Sequence, residues 1–314
     1  MSPDLTHQAN ILNLIEQLSH KYLQGKSRAL KMAIIALLSE GHLLLEDIPG
    51  LGKTTLALAF ARALGLSFGR IQCTSDLLPS DITGLSIFDR EKSQFRFIKG
   101  PIFSNILLAD EINRAMPKTQ SAMLEAMEEG KVTIEGETYS LPEPFMVIAT
   151  QNPVEQIGTY PLPESQMDRF LITTGIGYPP EELEKAIIRH GGIRKKMMEI
   201  EPMVSLEEIE EARHAVAAIH LSEKLVDYIF RISLASREHP FILTGISTRG
   251  AINMASAARA AAYLEKRDYV IPEDVKYIAT PVGAHRLIMR QEHESLNKQE
   301  VLQSILQSVS VPIV

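Results

Sequence analysis

The sequence predicts an α/β protein in which strands and helices alternate over the first half and helices alone fill the rest. Three observations carry that expectation. The apolar run His42-Leu43-Leu44-Leu45 leads through Asp47-Ile48-Pro49-Gly50-Leu51-Gly52-Lys53-Thr54-Thr55 into a helical pattern from Leu56 to Leu64, the order strand, glycine-rich turn, helix. Ile106-Leu107-Leu108-Ala109 is an apolar run of strand length that ends in two adjacent carboxylates, Asp110 and Glu111. After Pro179-Pro180 the strand patterning almost stops, which divides the chain into domains 1–178 and 179–314.

Taken in order, Ile11 to Leu38 shows helical spacing, with Gly25 and Lys26 as the break between two helices and Gly41 as the end of the second. The helix after the glycine-rich turn runs to about Gly65, a left-handed cap, and Phe68 to Thr74 is the next strand. Asp76 to Gly84 is a proline-containing loop. Residues 86–98 alternate through Ile87, Phe88, a polar turn at Asp89 to Ser93, Phe95 and Phe97, the pattern of a β-hairpin. Pro117 opens a helix with Ala122, Met123, Ala126 and Met127 on one side, and Gly130 closes it. Val132-Thr133-Ile134, a Glu135-Gly136 turn and Tyr139-Ser140-Leu141 form a second hairpin. Phe145 to Thr150 is a buried strand ending at Gln151-Asn152. Beyond the boundary, helices are expected at about 181–190, 205–219, 222–237, 248–265, 272–280 and 293–309.

The composition narrows the class. A chain of 314 residues with 45% hydrophobic and 23% charged residues is ordinary for a globular protein. A net charge of -7 argues against a general nucleic-acid binder. A single cysteine, Cys73, cannot form an intramolecular disulfide, and the start Met1-Ser2-Pro3-Asp4 lacks a basic-then-apolar signal, so a cytoplasmic protein without a membrane span is expected. The histidines show no metal-ligand spacing.

The glycine-rich turn has the chemistry of a phosphate loop. Gly50 and Gly52 let the backbone turn its N–H groups inward around a phosphate chain, and the positive end of the following helix adds to that attraction. Lys53 supplies a charge for the β- and γ-phosphates and Thr54 a hydroxyl for Mg²⁺, so ATP and Mg²⁺ are the expected ligands. Pro49, Leu51 and Thr55 complete the loop. The pattern prefers glycine where Asp47 stands, a departure that aspartate should tolerate because it accepts unusual backbone angles nearly as well as glycine. Asp110 is the expected Mg²⁺ partner, and Glu111 the base that orients and deprotonates the attacking water.

Longer motifs then resemble a known family. Leu108 to Ala115, Pro117 to Ser121, Leu124 to Glu129, Ala149-Thr150-Gln151-Asn152-Pro153, Gly158 to Glu164 and Met167-Asp168-Arg169-Phe170 are together similar to the MoxR family of AAA+ ATPases. So are Gly245-Ile246-Ser247-Thr248-Arg249 and Arg267 to Val275. The resemblance runs from Gly41 to about Arg286 and implies a P-loop AAA+ parallel-sheet core with helices on both faces, two β-hairpin insertions and an all-α lid domain. It also implies the subgroup with an insertion in helix 2 and another before the sensor strand, where the two hairpins fall.

Residue by residue, Asn152 resembles the sensor 1 residue that holds the attacking water or a γ-phosphate oxygen, although Asn152-Pro153 also marks a turn. Arg169 resembles an arginine finger supplied to a neighbouring subunit, worth about 10³–10⁵ in rate; its bland alternative is a surface pair with Asp168 or Glu164. Arg249 resembles sensor 2. With Ser247 or Thr248 as N-cap, it puts a cation in the first helical turn, at a cost of about 0.3–1 kcal/mol that a bound phosphate would reverse. Arg114 either reaches a neighbour or caps the helix at Pro117; His285-Arg286 also matches the family, and His285 is read as a packed histidine.

The resemblance implies a homo-oligomeric ring, a hexamer, that uses ATP to remodel a protein client, with a von Willebrand factor A domain partner and a role in metal-cofactor insertion. A DNA-translocating motor is the first alternative. The acidic charge and the hairpin Lys131-Val132-Thr133-Ile134-Glu135-Gly136-Glu137, with two acids at its turn, count against it. A magnesium-chelatase-type motor subunit and a non-hydrolysing scaffold are further alternatives, the last opposed by an intact Glu111.

Overall fold

The computed structural model describes residues 6–154, 157–190 and 197–313. Two helices come first, α1 (Thr6–Lys21) and α2 (Ser27–Leu38). Nine of the twelve residues of α2 are buried, as its nearly all-apolar sequence requires of a helix packed on several sides. The order then runs β1 (Leu43–Glu46), α3 (Lys53–Ala63), β2 (Phe68–Gln72), the short α4 (Pro79–Thr83), β3 (Gly84–Asp89) and β4 (Gln94–Lys99). It continues with β5 (Ile106–Asp110), α5 (Pro117–Glu129), β6 (Lys131–Ile134), β7 (Glu137–Ser140), β8 (Met146–Gln151), the short α6 (Glu164–Met167) and β9 (Ile172–Thr174).

Five strands form one parallel sheet in the order β2-β5-β8-β1-β9. Strands covered on both faces must be apolar at every position, and alternation decides which layer each residue joins. Leu43, Leu45, Ile106, Leu108, Met146 and Ile148 pack into one core with α1, α2 and α3. Leu44, Leu107, Ala109, Val147 and Ala149 pack into the other, under α5. Because all five strands run the same way, their carboxyl ends bring Asp47, Asp110, Glu111, Gln151 and Asn152 to one edge, where open α/β sheets hold their ligands.

Both expected hairpins are present as separate antiparallel ribbons, β3 with β4 and β6 with β7. The second turns through Glu135 and Gly136, both at positive φ, the geometry of a tight hairpin loop. Phe97 of the first stacks on Tyr139 of the second, 4.4 Å between ring centroids, so the two ribbons brace each other.

The remainder is helical: α7 (Glu181–His190), α8 (Leu206–Ala218), α9 (Glu223–Glu238), α10 (Thr248–Leu264), α11 (Pro272–Gly283) and α12 (Lys298–Ser308). Three details differ from the sequence expectation. A small ribbon of β10 (Ile242–Thr244) and β11 (Ile288–Met289) joins segments too short for alternation to show. The fifth helix of this set runs through Pro281 rather than ending at 280, then tightens into a 3₁₀ turn at Ala284–Arg286. The last helix starts at Lys298 rather than 293, because Asn297 caps it by accepting the Gln299 N–H at 2.9 Å. Strand β9, three residues on the sheet edge, was likewise too short to read. Among the described residues, no helix is long and apolar enough to cross a membrane.

Candidate nucleotide site and arginine cluster

The phosphate loop joins β1 to α3. Gly50 and Gly52 both hold left-handed φ, +87° and +86°, a conformation that L side chains rarely adopt, and a Cβ at Gly50 would meet only open space. The Lys53 ammonium is anchored by two backbone carbonyls, those of Asp47 and, at 3.3 Å, Gln151. Burial lowers its pKa, and Asp47, Asp110, Glu111 and Glu46 oppose that shift. The Thr54 hydroxyl donates to Asp110 Oδ2 at 3.3 Å, and the Thr150 hydroxyl donates to Asp110 Oδ1 at 3.3 Å.

Glu111 follows β5 with φ +57°, an uncommon conformation for a residue with a Cβ and one that concentrates at functional sites. Its N–H donates to Thr150 Oγ1 at 2.9 Å, which fixes the turn. Its carboxylate accepts from Gln72 Nε2 at 3.1 Å and pairs with Arg114 Nε at 3.1 Å. Arg114 therefore sits against the expected base, a pairing that neither of its two sequence readings named.

A cavity of about 370 Å³ is lined by Pro49, Gly50, Gly52, Lys53, Thr54, Thr55, Asp110, Glu111 and Asn152, together with Leu58, Arg70, Gln72, Thr150 and Met197. This donor set suits a triphosphate with a divalent cation: a glycine-rich loop running into a helix N-terminus, an ammonium free of a carboxylate partner among the described residues, a hydroxyl beside a buried carboxylate, and a second carboxylate at the cavity wall. Leu51, expected in the loop, turns its side chain into the interior and is not part of the lining. Asn152 also accepts the Val154 N–H at 3.2 Å, so it makes the expected turn while lining the cavity. A larger cleft of about 710 Å³ shares Asn152 but contains no phosphate-loop residue, so it is not the nucleotide cavity despite its size.

Arg70 and Gln72 were not foreseen. They alternate outward along β2, and Gln72 lies in register with Asp110. Arg70 donates from Nε to Asp110 Oδ2 at 2.9 Å. That alternation beside a strand ending in carboxylates was the signal available.

Arg169 and Arg249 lie elsewhere. Neither lines the phosphate cavity; both line a cleft of about 190 Å³ with Glu128, Asp168 and Asn253. Glu128 at the end of α5 pairs with Arg169 Nη2 at 3.0 Å and Arg249 Nη2 at 2.6 Å, and these two cations hold its carboxyl below the usual range, Arg249 more strongly. Ser247 is the N-cap of α10, accepting the Gly250 N–H at 3.0 Å. The anion beside Arg249 in the first turn is Glu128.

Arg169 does not pair with Asp168 or Glu164. Asp168 is taken by Arg286, buried to 6% exposure, whose Nε donates to Asp168 Oδ1 at 2.7 Å and whose Nη2 donates to the Phe170 carbonyl at 2.8 Å. The lid arginine thereby fixes the backbone on both sides of Arg169. His285 is packed beside it and kept neutral, its pKa well below the ordinary value because of burial and then Arg286.

Comparisons with known proteins agree with this fold. The sequence model of the ATPase family associated with various cellular activities (AAA) matches residues 42–172, and that of the AAA lid domain matches 234–305. The chain is 43% identical over 296 residues to the uncharacterized protein YeaC of Bacillus subtilis, covering 94% of this chain and 92% of that one. It is 39% identical over 307 residues to the chaperone MoxR1 of Mycobacterium tuberculosis, covering 93% and 80%. A crystal structure of a candidate ATPase from Cytophaga hutchinsonii superposes with a TM-score of 0.89 at 40% identity, covering 98% of this chain and 97% of that one. With the phosphate loop, the paired carboxylates and the lid in place and relatives matched along nearly its whole length, the chain belongs to the MoxR family of AAA+ ATPases.

Proposed function

We propose that this ATPase works as a ring, a hexamer, in which each nucleotide site is completed by Arg169 and Arg249 of a neighbouring subunit, and that it spends ATP on remodelling a protein client. The observation that carries the proposal is that both arginines converge on Glu128, outside the phosphate cavity of their own chain. Two cations gathered on one exposed carboxylate are positioned to exchange it for phosphate oxygens when another subunit docks.

Within one site, the loop N–H groups and Lys53 hold the phosphate chain, and Glu111 takes a proton from the attacking water while Asn152 orients that water. Mg²⁺, when bound, would be held by Thr54 and Asp110 and would neutralise charge on the β- and γ-oxygens. Gln72 and Arg114 keep the Glu111 carboxylate in place before the water arrives. A protein client is favoured by the exposed apolar side chains of the first hairpin, Leu85, Ile87 and Ile98 on one face and Phe88 and Phe95 on the other. The partnership with a von Willebrand factor A domain protein, the metal-cofactor role and the cytoplasmic setting come with the family resemblance.

Two substitutions test the assignment of roles. Lys53→Ala is expected to lose nucleotide binding, whereas Glu111→Gln keeps it and loses turnover by about 10²–10⁴. Measuring ATP affinity and phosphate release for both decides it: wild-type turnover in Glu111→Gln removes the base.

A further inference from the structure

The break between α1 and α2 delivers a lysine to the phosphate loop. Gly25 holds φ +74° and lies against Pro180, where a Cβ would approach Pro180 Cδ to 2.7 Å, so the turn is tightly placed. The next residue, Lys26, reaches back across the fold until its ammonium lies against Gly52. A methyl group added to Gly52 would overlap that ammonium and would lie 3.7 Å from the Thr55 hydroxyl. The space beside Gly52 is therefore taken by a cation rather than left open as at Gly50.

Three ordinary explanations for such a lysine fail. It does not trail into solvent, because it is half-buried and burial lowers its pKa. It caps no helix: Lys26 stands at the N-cap of α2 without a side-chain capping bond, an end where a cation is disfavoured, and the first turn of α2 carries no acid. Nor does it answer a carboxylate, since among the described residues no ion pair or side-chain hydrogen bond involves it. An ammonium half removed from water without a counter-ion is unfavourable on its own. It stops being so when an anion arrives, and the surface it touches is the loop built to receive one.

We infer that Lys26 is a second phosphate-binding lysine of the nucleotide site, contacting the α end of the phosphate chain. Lys53, Asp110, Glu111 and Asn152 gather at the strand ends and define where the γ end must lie. Gly52 caps α3 and Thr55 lies in its first turn, on the helix side of the loop, and Lys26 lies against Gly52 at the border of the cavity without itself lining it. A contact at the α end is made equally by ATP and ADP, so Lys26 contributes uniform binding and does not discriminate between them. The inference rests on the nucleotide site proposed above.

The test is titration of Mg²⁺-ATP and Mg²⁺-ADP into the wild type, Lys26→Gln and Lys26→Met, the last preserving the apolar stem. Both variants are expected to bind both nucleotides about tenfold more weakly, the size of one charge-assisted contact, with unshifted thermal melting. Affinities equal to wild type overturn the inference, and a loss confined to ATP overturns the α-end placement. In reductively ¹³C-methylated protein shown by titration still to bind ADP, the methyl signal of Lys26, identified by its absence from Lys26→Arg, should move on adding ADP; a signal that stays in place also overturns it. Failure of the wild type itself to bind either nucleotide would count against the nucleotide site and not against Lys26 alone.

Discussion

Asp47 Oδ2 accepts the backbone N–H of Gly177 at 2.8 Å, and the same oxygen accepts that of Ile176 at 2.6 Å. The first residue of the phosphate loop is thus tied to the segment that leaves β9 and enters the lid. The glycine preferred at that position in the motif has no group to make this tie. Nor is aspartate present for backbone freedom, since Asp47 is not among the residues at positive φ; that corrects the reason its sequence position implied.

Asp47→Ala is accordingly expected to lower stability by about 1.5–3 kcal/mol, the range for hydrogen bonds to a charged group. Asp47→Gly should not tighten ATP binding. Urea unfolding and an ATP titration check the two statements, and a tenfold gain in affinity for Asp47→Gly would mean that the native loop is impaired.

His42 gives the fold a pH dependence of defined sign. It lies between layers, with Nδ1 accepting the Val147 N–H at 3.0 Å and Nε2 donating to the Met127 carbonyl at 3.1 Å. Burial lowers its pKa from 6.5 to about 4. The folded state holds the neutral ring, so its contribution is complete above pH 6.5 and drains away as pH falls through 4. Between pH 7 and pH 5 this group alone should remove about 2 kcal/mol. Unfolding free energies across that range, for wild type and His42→Gln, measure it: the wild-type slope should be the steeper. Equal slopes would place the titration elsewhere.

The sequence disclosed what depends on local pattern and withheld what depends on long-range meeting. Leu43 to Leu45 and Ile106 to Ala109 read as buried strands because a covered parallel sheet demands apolar residues at every position. Lys53, Asp110 and Glu111 were legible because a phosphate loop and a strand end are local devices. The partners of Arg169, Arg249, Asp168 and Asp47 were not, since Glu128, Arg286 and Gly177 come near only after folding. Proximity in sequence even pointed the wrong way, offering Asp168 to Arg169 when Arg286 holds it. Strand β9 and the β10–β11 ribbon escaped because two or three residues cannot display a period.

The claim that most of this account depends on is that Arg169 acts on a neighbour's nucleotide, and mixing two inactive variants tests it. Lys53→Ala has a dead phosphate loop with an intact arginine, and Arg169→Ala the reverse. In randomly mixed rings about a quarter of interfaces join an intact loop to an intact arginine, because the two faces of each subunit pair independently. With native mass spectrometry showing that the rings mix, ATP hydrolysis should return to a fraction of wild type no greater than about a quarter. Mixed rings that stay wholly inactive, with Arg169→Ala subunits losing ATP affinity by themselves, would place Arg169 in its own subunit's site and contradict the account.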